Sequence, residues 1–521
     1  MACPTTPQKT DSNFTGLRYA FELCIGQLPG EDSESFAVDA VSIPEEELGA
    51  SSPTWHQAEP NSYGDFGASV TTTPRTPITS GRQREKGTVT DLDASASFQV
   101  DYTLDNFERL APTFFFAAWR RSDTFGRSSQ ETISDITSNA FTGTGIDDYF
   151  AAGDIVIVQN LANAAQDGRN VVASTASDTV TVSGTVANDA SPAANTYLKR
   201  VGVLTAAGDI DVDSSGSLPA LTSTTLDFTT LGLIPGQWIY VGGDTAITGF
   251  LTAANNGFAR VHTIAANRLT VDKTQNTWAT EASTLQTVEI YFGDLIKNEA
   301  TPALIKTQTI QLERSLSTAG YEYVKGGVAN QFTLNVQSAD KITADLAIVG
   351  IDAIAQEARK AGSFPVIDTA NTAFNTSSDF SRIRLAKKDS LATPLFAFIT
   401  DLSLVINNNV TPTKAIGTLG AFDVSVGDFT VTGNITAYFS DVAAINAVRN
   451  NSDVTFDFVL ATANKGWLFD IPLVTLGEGR LNVEKDTPIT LPLSLDASRD
   501  PTLNATLTAC FFPYLPSVAE A

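Results

Sequence analysis

Most of the periodic segments of this chain alternate apolar and polar residues with a period of two and are rich in Val, Ile, Thr and Phe. Successive side chains of a strand point to opposite faces, so this pattern specifies strands buried on one side and solvated on the other. Residues 96–104 (ASFQVDYTL), 308–312, 331–336, 429–439, 454–460 and 504–511 carry it most clearly. The expected fold class is therefore mainly β. Helices are expected at only two places. Over 441–449, Ser440 or Asp441 can cap the first amides while Val442, Ile445 and Val448 share a face; a second helix is expected over 351–360, stopping at Gly362.

The middle of the chain, residues 137–284, is rich in Ala, Thr, Gly and Asp and contains a repeat. Phe141 and the segments 153–158 (GDIVIV), 167–172 (DGRNVV) and 178–182 (DTVTV) recur in order as Phe228, 236–241 (GQWIYV), 256–261 (NGFARV) and 267–271 (NRLTV). Each copy reads as strand, Gly turn, strand, tight turn, strand, enough to close a small β domain. A fainter likeness links the ends. Gly87, the strand 94–104 and a helix-like 105–110 match Gly427, the strand 429–439 and the helix from Asp441, with Tyr102 set against Tyr438. The resulting organisation is two β-sandwich or barrel units with short flanking helices, 1–136 and 293–521, separated by inserted β domains at 137–205 and 206–292.

With 42% hydrophobic residues the chain can bury a substantial core. Its 33 Lys and Arg against 58 Asp and Glu give a formal net charge of −25, which argues against phosphate-seeking as the main mode of binding. The three cysteines, Cys3, Cys24 and Cys510, are scattered and form neither a disulfide framework nor a metal spacing. No secretory signal and no bilayer-spanning apolar run are read in the sequence. Phosphate-loop, dinucleotide, zinc-protease and serine-hydrolase signatures are absent. His56 and His262 read as surface or packing residues, and Asp209, Asp211 and Asp213 as a solvated linker, because no Glu completes a calcium loop. No catalytic residue, metal or cofactor is expected.

Acidic residues crowd the first sixty positions: Asp11, Glu22, Glu31, Asp32, Glu34, Asp39, Glu45, Glu46, Glu47 and Glu59. A polar stretch, 63–90, follows with Arg75, Arg82, Arg84 and Lys86. It is too long for an ordinary connection and too polar for a core of its own, so it reads as a loop or as an arm that folds on a neighbour. A basic arm beside an acidic segment supplies complementary patches for association of identical subunits.

The ordered set PRTPITSGRQREKGTVTDLDASASFQVDYTLDNFERLAPTFFFAAW, TQTIQLERSLSTAGYEYVKGGVANQFTLNVQSADKITADLAIVG, DLSLVINNN, GDFTVTGNITAYFSDV and GWLFDIPLVTLGEG resembles the tail tube proteins of long-tailed, siphovirus-like bacteriophages. The resemblance spans both ends and does not depend on the inserts. It implies a structural virion protein, assembled in the host cytoplasm, whose rings stack into a hollow tail tube that delivers DNA. Two units per chain imply a homotrimeric ring with pseudo-sixfold symmetry, a hexamer being the alternative, and inserts that project outward as decoration. The implied partners are the tape measure, tail terminator and tail-tip proteins, with genomic DNA passing an acidic wall without specific binding and no membrane involved. Two other readings stay open: an acidic S-layer-like surface protein, and a virion-associated glycan hydrolase using Asp or Glu pairs.

Overall fold

The alternating segments pair into antiparallel sheets, and strands account for 49% of the protein against 7% for helices. The computed structural model describes residues 15–31, 47, 51–78, 81–104, 106–126, 131–317, 320–366, 372–396 and 398–520. The body opens with β1 (Thr15–Phe21), β2 (His56–Ala58), β3 (Pro60–Thr73), β4 (Thr88–Asp101) and α1 (Ala111–Phe115). An insert follows, with β5 (Thr124–Phe125), β6 (Asp135–Thr137), β7 (Ala140–Thr142), β8 (Asp154–Gln159), β9 (Gly168–Ala176), β10 (Thr179–Val182), β11 (Tyr197–Leu204), β12 (Asp211–Asp213), β13 (Ala220–Thr222), β14 (Trp238–Val241), β15 (Gly257–Ala265), β16 (Arg268–Thr274) and β17 (Glu289–Phe292). The body resumes with β18 (Asp294–Lys297), β19 (Ile310–Leu316), β20 (Tyr321–Gln337), β21 (Thr343–Gly350), β22 (Asp352–Gln356), β23 (Phe380–Lys387), β24 (Ser390–Pro394), β25 (Ile399–Asn407), β26 (Thr411–Lys414), β27 (Ala421–Ser425) and β28 (Thr430–Tyr438). It closes with α2 (Ala443–Arg449), β29 (Val454–Thr462), β30 (Lys465–Glu478), β31 (Thr490–Ala497) and β32 (Thr508–Phe512).

The body follows one path twice. In the first half β1 pairs β19, β19 pairs the start of β20, β22 takes the other side of that start, and the end of β20 continues through β21 and β4 to β3. In the second half β23, β29, β30, β32, β31, β28 and β25 repeat these roles in order. Two of the irregularities coincide, whereas the shifts between Tyr63 and Phe66, Ala329 and Gln331, and Phe380 and Arg382 occur in one half only. The β19–β20 register shifts between Ile310 and Leu312 and the β29–β30 register between Val454 and Phe456. Likewise β3–β4 shifts between Pro60 and Ser62, and β25–β28 between Ile399 and Asp401. A bulge bends a strand at one fixed place, so paired bulges mark paired geometry. The residue matching Tyr102 is Phe439, not Tyr438: Tyr102 N donates to Ile342 O at 2.9 Å and Phe439 N to Ile489 O at 3.0 Å. Tyr102 is fully buried, whereas Tyr438 is 42% exposed. A strand residue and its neighbour face opposite sides, so a one-residue misalignment inverts burial.

The insert is also double. Strands run β7-β10-β9-β8-β11 in one copy and β13-β16-β15-β14-β17 in the other, and the copies join where β11 pairs β17 with Gly202 opposite Tyr291. Separate apolar cores fill them, one around Phe125, Phe141, Val156 and Val180, the other around Leu221, Phe228, Ile239 and Leu269. Phe141 corresponds to Leu221, each facing the same strand of its copy, while Phe228 begins a 3-10 turn as Ile146 does. The two ends of the insert meet at a stem, where Arg120 and Leu295 exchange backbone hydrogen bonds of 2.8 and 3.0 Å.

Three expectations need correction. Residues 352–356 form β22, not a helix, because they close the open side of β20, with Tyr323 opposite Ile354. The first helix starts at Ala111 rather than 105, with Pro112 in its first turn, where a missing N–H costs nothing, and ends at Phe116 in left-handed conformation at φ 48. Asp105 lies outside the described residues. In α2, Asp441 accepts a hydrogen bond from Ala443 N at 3.1 Å, and Ile445 and Val448 pack half-buried against the core beside the buried Ala444 and Ala447, but Val442 is 59% exposed.

Excising 137–284 behind a short linker would leave β17 without both of its partner strands and bare Val459, Leu468 and Cys510. That variant is expected to aggregate. Excision at the stem, 122–293, removes β17 as well; combined with Asp457→Asn, Asp470→Asn, Val459→Thr and Leu468→Thr, which make the bared patch polar and uncharged, it is expected to remain soluble and melt cooperatively in a circular dichroism scan.

Candidate functional surface: a polar sheet face and its open edges

The strands β3, β4, β21, β20, β25, β28, β31 and β30 form one continuous sheet across both halves. One face belongs to the main core, through Phe98, Leu346, Phe332, Leu404, Ile435 and Leu493. The other face carries the intervening positions: Ser95, Ser97 and Gln99 on β4, Gln331, Thr333 and Asn335 on β20, Ser403 and Asn407 on β25, and Thr432, Asn434 and Thr436 on β28. Its ionisable residues in the strands are Asp91, Asp93, Asp101, Asp345, Asp401 and Asp496, without a Lys or Arg among them. Asp345 accepts from Gln99 Nε2 at 2.8 Å and Asn335 Nδ2 at 2.6 Å, which fixes it in a cross-strand ladder. Among the described residues, lysines reach the face at its ends, Lys341 to Asp101 and Lys414 to Asp91 and Asp93. The sequence signal for this surface is the polar half of the alternation.

The halves join where the end of β20 pairs β25, Gln331 opposite Asn407 through Gln337 opposite Asp401. By the internal repeat, β3 corresponds to β25 and the stretch following Val474 to the end of β20. Among the described residues β3 pairs only with β4, and Thr475–Glu478 only with β31. Both edges of the sheet are thus open. Val336 is 7% exposed inside the β20–β25 junction, whereas its counterpart Val483 is 65% exposed.

Much of the expected 63–90 arm is strand: Thr- and Val-rich 68–73 pairs with 88–94, so β3 and β4 extend as a long hairpin. Arg75, Arg82, Arg84 and Lys86 sit in its tip and are exposed, with Arg75 paired to Glu85 of the same tip at 3.1 Å. Thr79 and Ser80 lie outside the described residues, as do Asp11, Asp32, Glu34, Asp39, Glu45 and Glu46 of the acidic segment and Cys3. The tip is therefore not seen against that segment.

The insert sits on the back of the second half through a buried charge cluster that the sequence reading missed, because its members lie far apart in the chain. Lys273 Nζ donates to Asp470 at 2.6 Å and to Thr455, Arg260 reaches Asp470 at 2.7 Å and grips Asp272 at 2.8 and 2.9 Å, and Trp238 Nε1 donates to Asp470 at 3.2 Å. Arg382 closes the cluster on Asp457. Burial by itself raises the Asp470 carboxyl, but Lys273 and Arg260 outweigh it and hold it down at about 2. Around the cluster Trp238, Tyr291 and Phe258 pack on Leu468, Cys510 and Phe512.

The remaining candidates have structural partners. His56 contacts Glu47, and His262 lies 3.6 Å from Asp272. Asp209 accepts from Ser223, Thr224 and Thr225, Asp211 from Ser283 N, and Asp213 from Ser215 and Arg268, so the three carboxylates diverge. Among the described residues no group of three or more His, Cys, Asp or Glu is placed to hold a metal, and no helix is long and apolar enough to cross a membrane.

Replacing Lys273 by Met leaves Asp470 and Asp457 short of a buried cation, and the expected loss is about 3 kcal/mol or more in urea unfolding. Because the Asp470 carboxyl is held below its unfolded-chain value, the stability it contributes is complete above about pH 4 and is lost as pH falls toward 2. In Lys273→Met that acid-side loss is expected to shrink.

A family model described as "Phage tail tube protein" matches residues 199–497, more than half of the chain. No curated protein matches it.

Proposed function

The chain belongs to the phage tail tube proteins and is a structural component of the virion tail rather than an enzyme, and from that premise we propose that three copies close edge to edge into a ring and that rings stack into the tail tube. The observation that carries this reading is the internal junction. One chain already contains two equivalent units joined through β20 and β25, with the equivalent edges, β3 and the stretch after Val474, left open. An open edge presents unpaired amides and carbonyls, and a closed rotational array meets them all without a new kind of contact. Two units per chain make the ring pseudo-sixfold with three protomers. Assembly then takes place in the host cytoplasm, as for a siphovirus-like tail, and the tube ends meet the terminator and tail-tip proteins.

In such a ring the polar face of the continuous sheet lines the bore. Asp345 and Asp401 repel the phosphates of passing DNA, while the Ser, Thr, Asn and Gln positions offer hydrogen bonds to water and to an extended tape measure protein. The repulsion weakens with rising salt, over a screening length of about 10 Å at 0.1 M. The insert, fixed to the opposite side of the second unit, points outward as decoration, which supports the reading of 137–205 and 206–292 as displayed domains on a body formed by 1–136 and 293–521.

Electron microscopy of the purified protein is expected to show rings or hollow tubes, and native mass spectrometry a trimer. Val483→Asp is expected to abolish them while leaving the melting temperature unchanged, since the side chain is exposed in the single chain and buried only in the junction. Tubes carrying Asp345→Lys and Asp401→Lys are expected to assemble and to retain duplex DNA in low salt, where wild-type tubes release it; equal retention by both would remove the acidic-conduit role.

A further inference from the structure

The internal junction includes a clasp beyond the strand pairing. After β25 the chain runs into the β26–β27 hairpin, which crosses onto the first half and covers Val328, Val349, Ile351 and Phe116 with Val410 and Val424. At its tip Lys414 Nζ donates to Asp91 at 2.7 and 2.8 Å and to Asp93 at 2.6 Å, both on β4. The segment in the same place after β3 is the basic tip with Arg75, Arg82, Arg84 and Lys86. Ser69 opposite Asp93 matches Asn407 opposite Thr430, so Lys414 falls at Thr76, beside Arg75.

The surface that would receive this tip follows from the same correspondence. Val328 opposite Val349 matches Thr475 opposite Asp496, Ile351 falls at Ser498, and Asp91 falls at Asp428. Thr475, Asp496, Ser498 and Asp428 are all exposed, as is the nearby Glu478. Where the first unit offers an apolar surface to an apolar hairpin, the second unit offers a polar, acidic one. The tip has changed in step, from the sequence TPTKAIGTLGAFDVS to one with four cations.

We infer that the β3–β4 tip of one protomer clasps the second unit of the next, Arg75 meeting Asp428 and the other tip cations meeting Glu478 and Asp496. This rests on the ring reading and adds its partner surface. In a first unit this surface is already covered by the chain's own β26–β27 hairpin, with Asp91 and Asp93 taken up by Lys414, so the tip can seat only on a second unit. Single exposed ion pairs contribute little, about 0–1 kcal/mol each. Their effect is therefore on the concentration needed for assembly, on its rate and on its salt dependence.

The test uses the full chain. Reversing the tip (Arg75→Glu, Arg82→Glu, Arg84→Glu, Lys86→Glu) or the receiving surface (Asp428→Lys, Glu478→Lys, Asp496→Lys) is expected to raise the assembly concentration about tenfold or more in low salt. Mixing the two reversals in one chain is expected to restore most of it. Separately, Arg75→Cys with Asp428→Cys is expected to give an oxidised covalent trimer on a denaturing gel. If wild-type rings form but the reversals assemble normally, or the combination does not recover and the cysteine pair stays monomeric, the clasp is overturned while the ring stands. If wild-type protein forms no ring at all, the ring reading fails and takes the clasp with it.

Discussion

An unpaired strand edge is the constraint around which this molecule is organised. Each backbone amide and carbonyl needs a partner, and a long polar sheet with two free edges invites uncontrolled pairing unless one particular partner is favoured. Here the favoured partner is written into the chain itself. The β20–β25 contact is a finished example of the joint that β3 and the stretch after Val474 lack, and the shift between Ile399 and Asp401 on β25 recurs between Pro60 and Ser62 on β3. A repeated unit with one joint made and one open carries an unmatched half-joint at each end, which is what the proposed ring would close.

The two faces of the sheet divide the labour. Apolar side chains from both halves share one core. The opposite face has water-compatible residues and aspartates, with lysines confined to its margins. The insert is attached by different means: a backbone stem at Arg120 and Leu295, an apolar patch around Trp238, and a cluster in which Lys273, Arg260 and Arg382 neutralise Asp470 and Asp457. A buried charge cluster of this kind adds little net stability compared with an apolar contact, but it tolerates only one arrangement of its members. It orients the insert on the back of the second unit.

The strands were legible because their period is strong: 331–336, 429–439 and 454–460 all fall in or around observed strands. The repeat within the insert was legible for the same reason, since its Gly turns and Val pairs are local. What failed depended on tertiary context. Residues 352–356 have a helix-compatible pattern, yet the vacant side of β20 captures them. Tyr102 was set against Tyr438 by residue type, while backbone pairing puts it with Phe439. The charge cluster joins residues about two hundred positions apart, and nothing in a linear pattern links Lys273 to Asp470. Of the candidate surface, the basic tip was visible in the sequence. The open edge after Val474 was not, because an edge is defined by the strand that is missing beside it.

An end-on averaged image from electron cryomicroscopy of assembled protein tests the central claim most directly. The account predicts three protomers per ring, a continuous wall in which the stretch after Val474 of one copy pairs with β3 of the next, a bore faced by Asp345 and Asp401, and three inserts on the outside. Six protomers in a ring, a bore lined by Lys and Arg, or inserts filling the centre would contradict it.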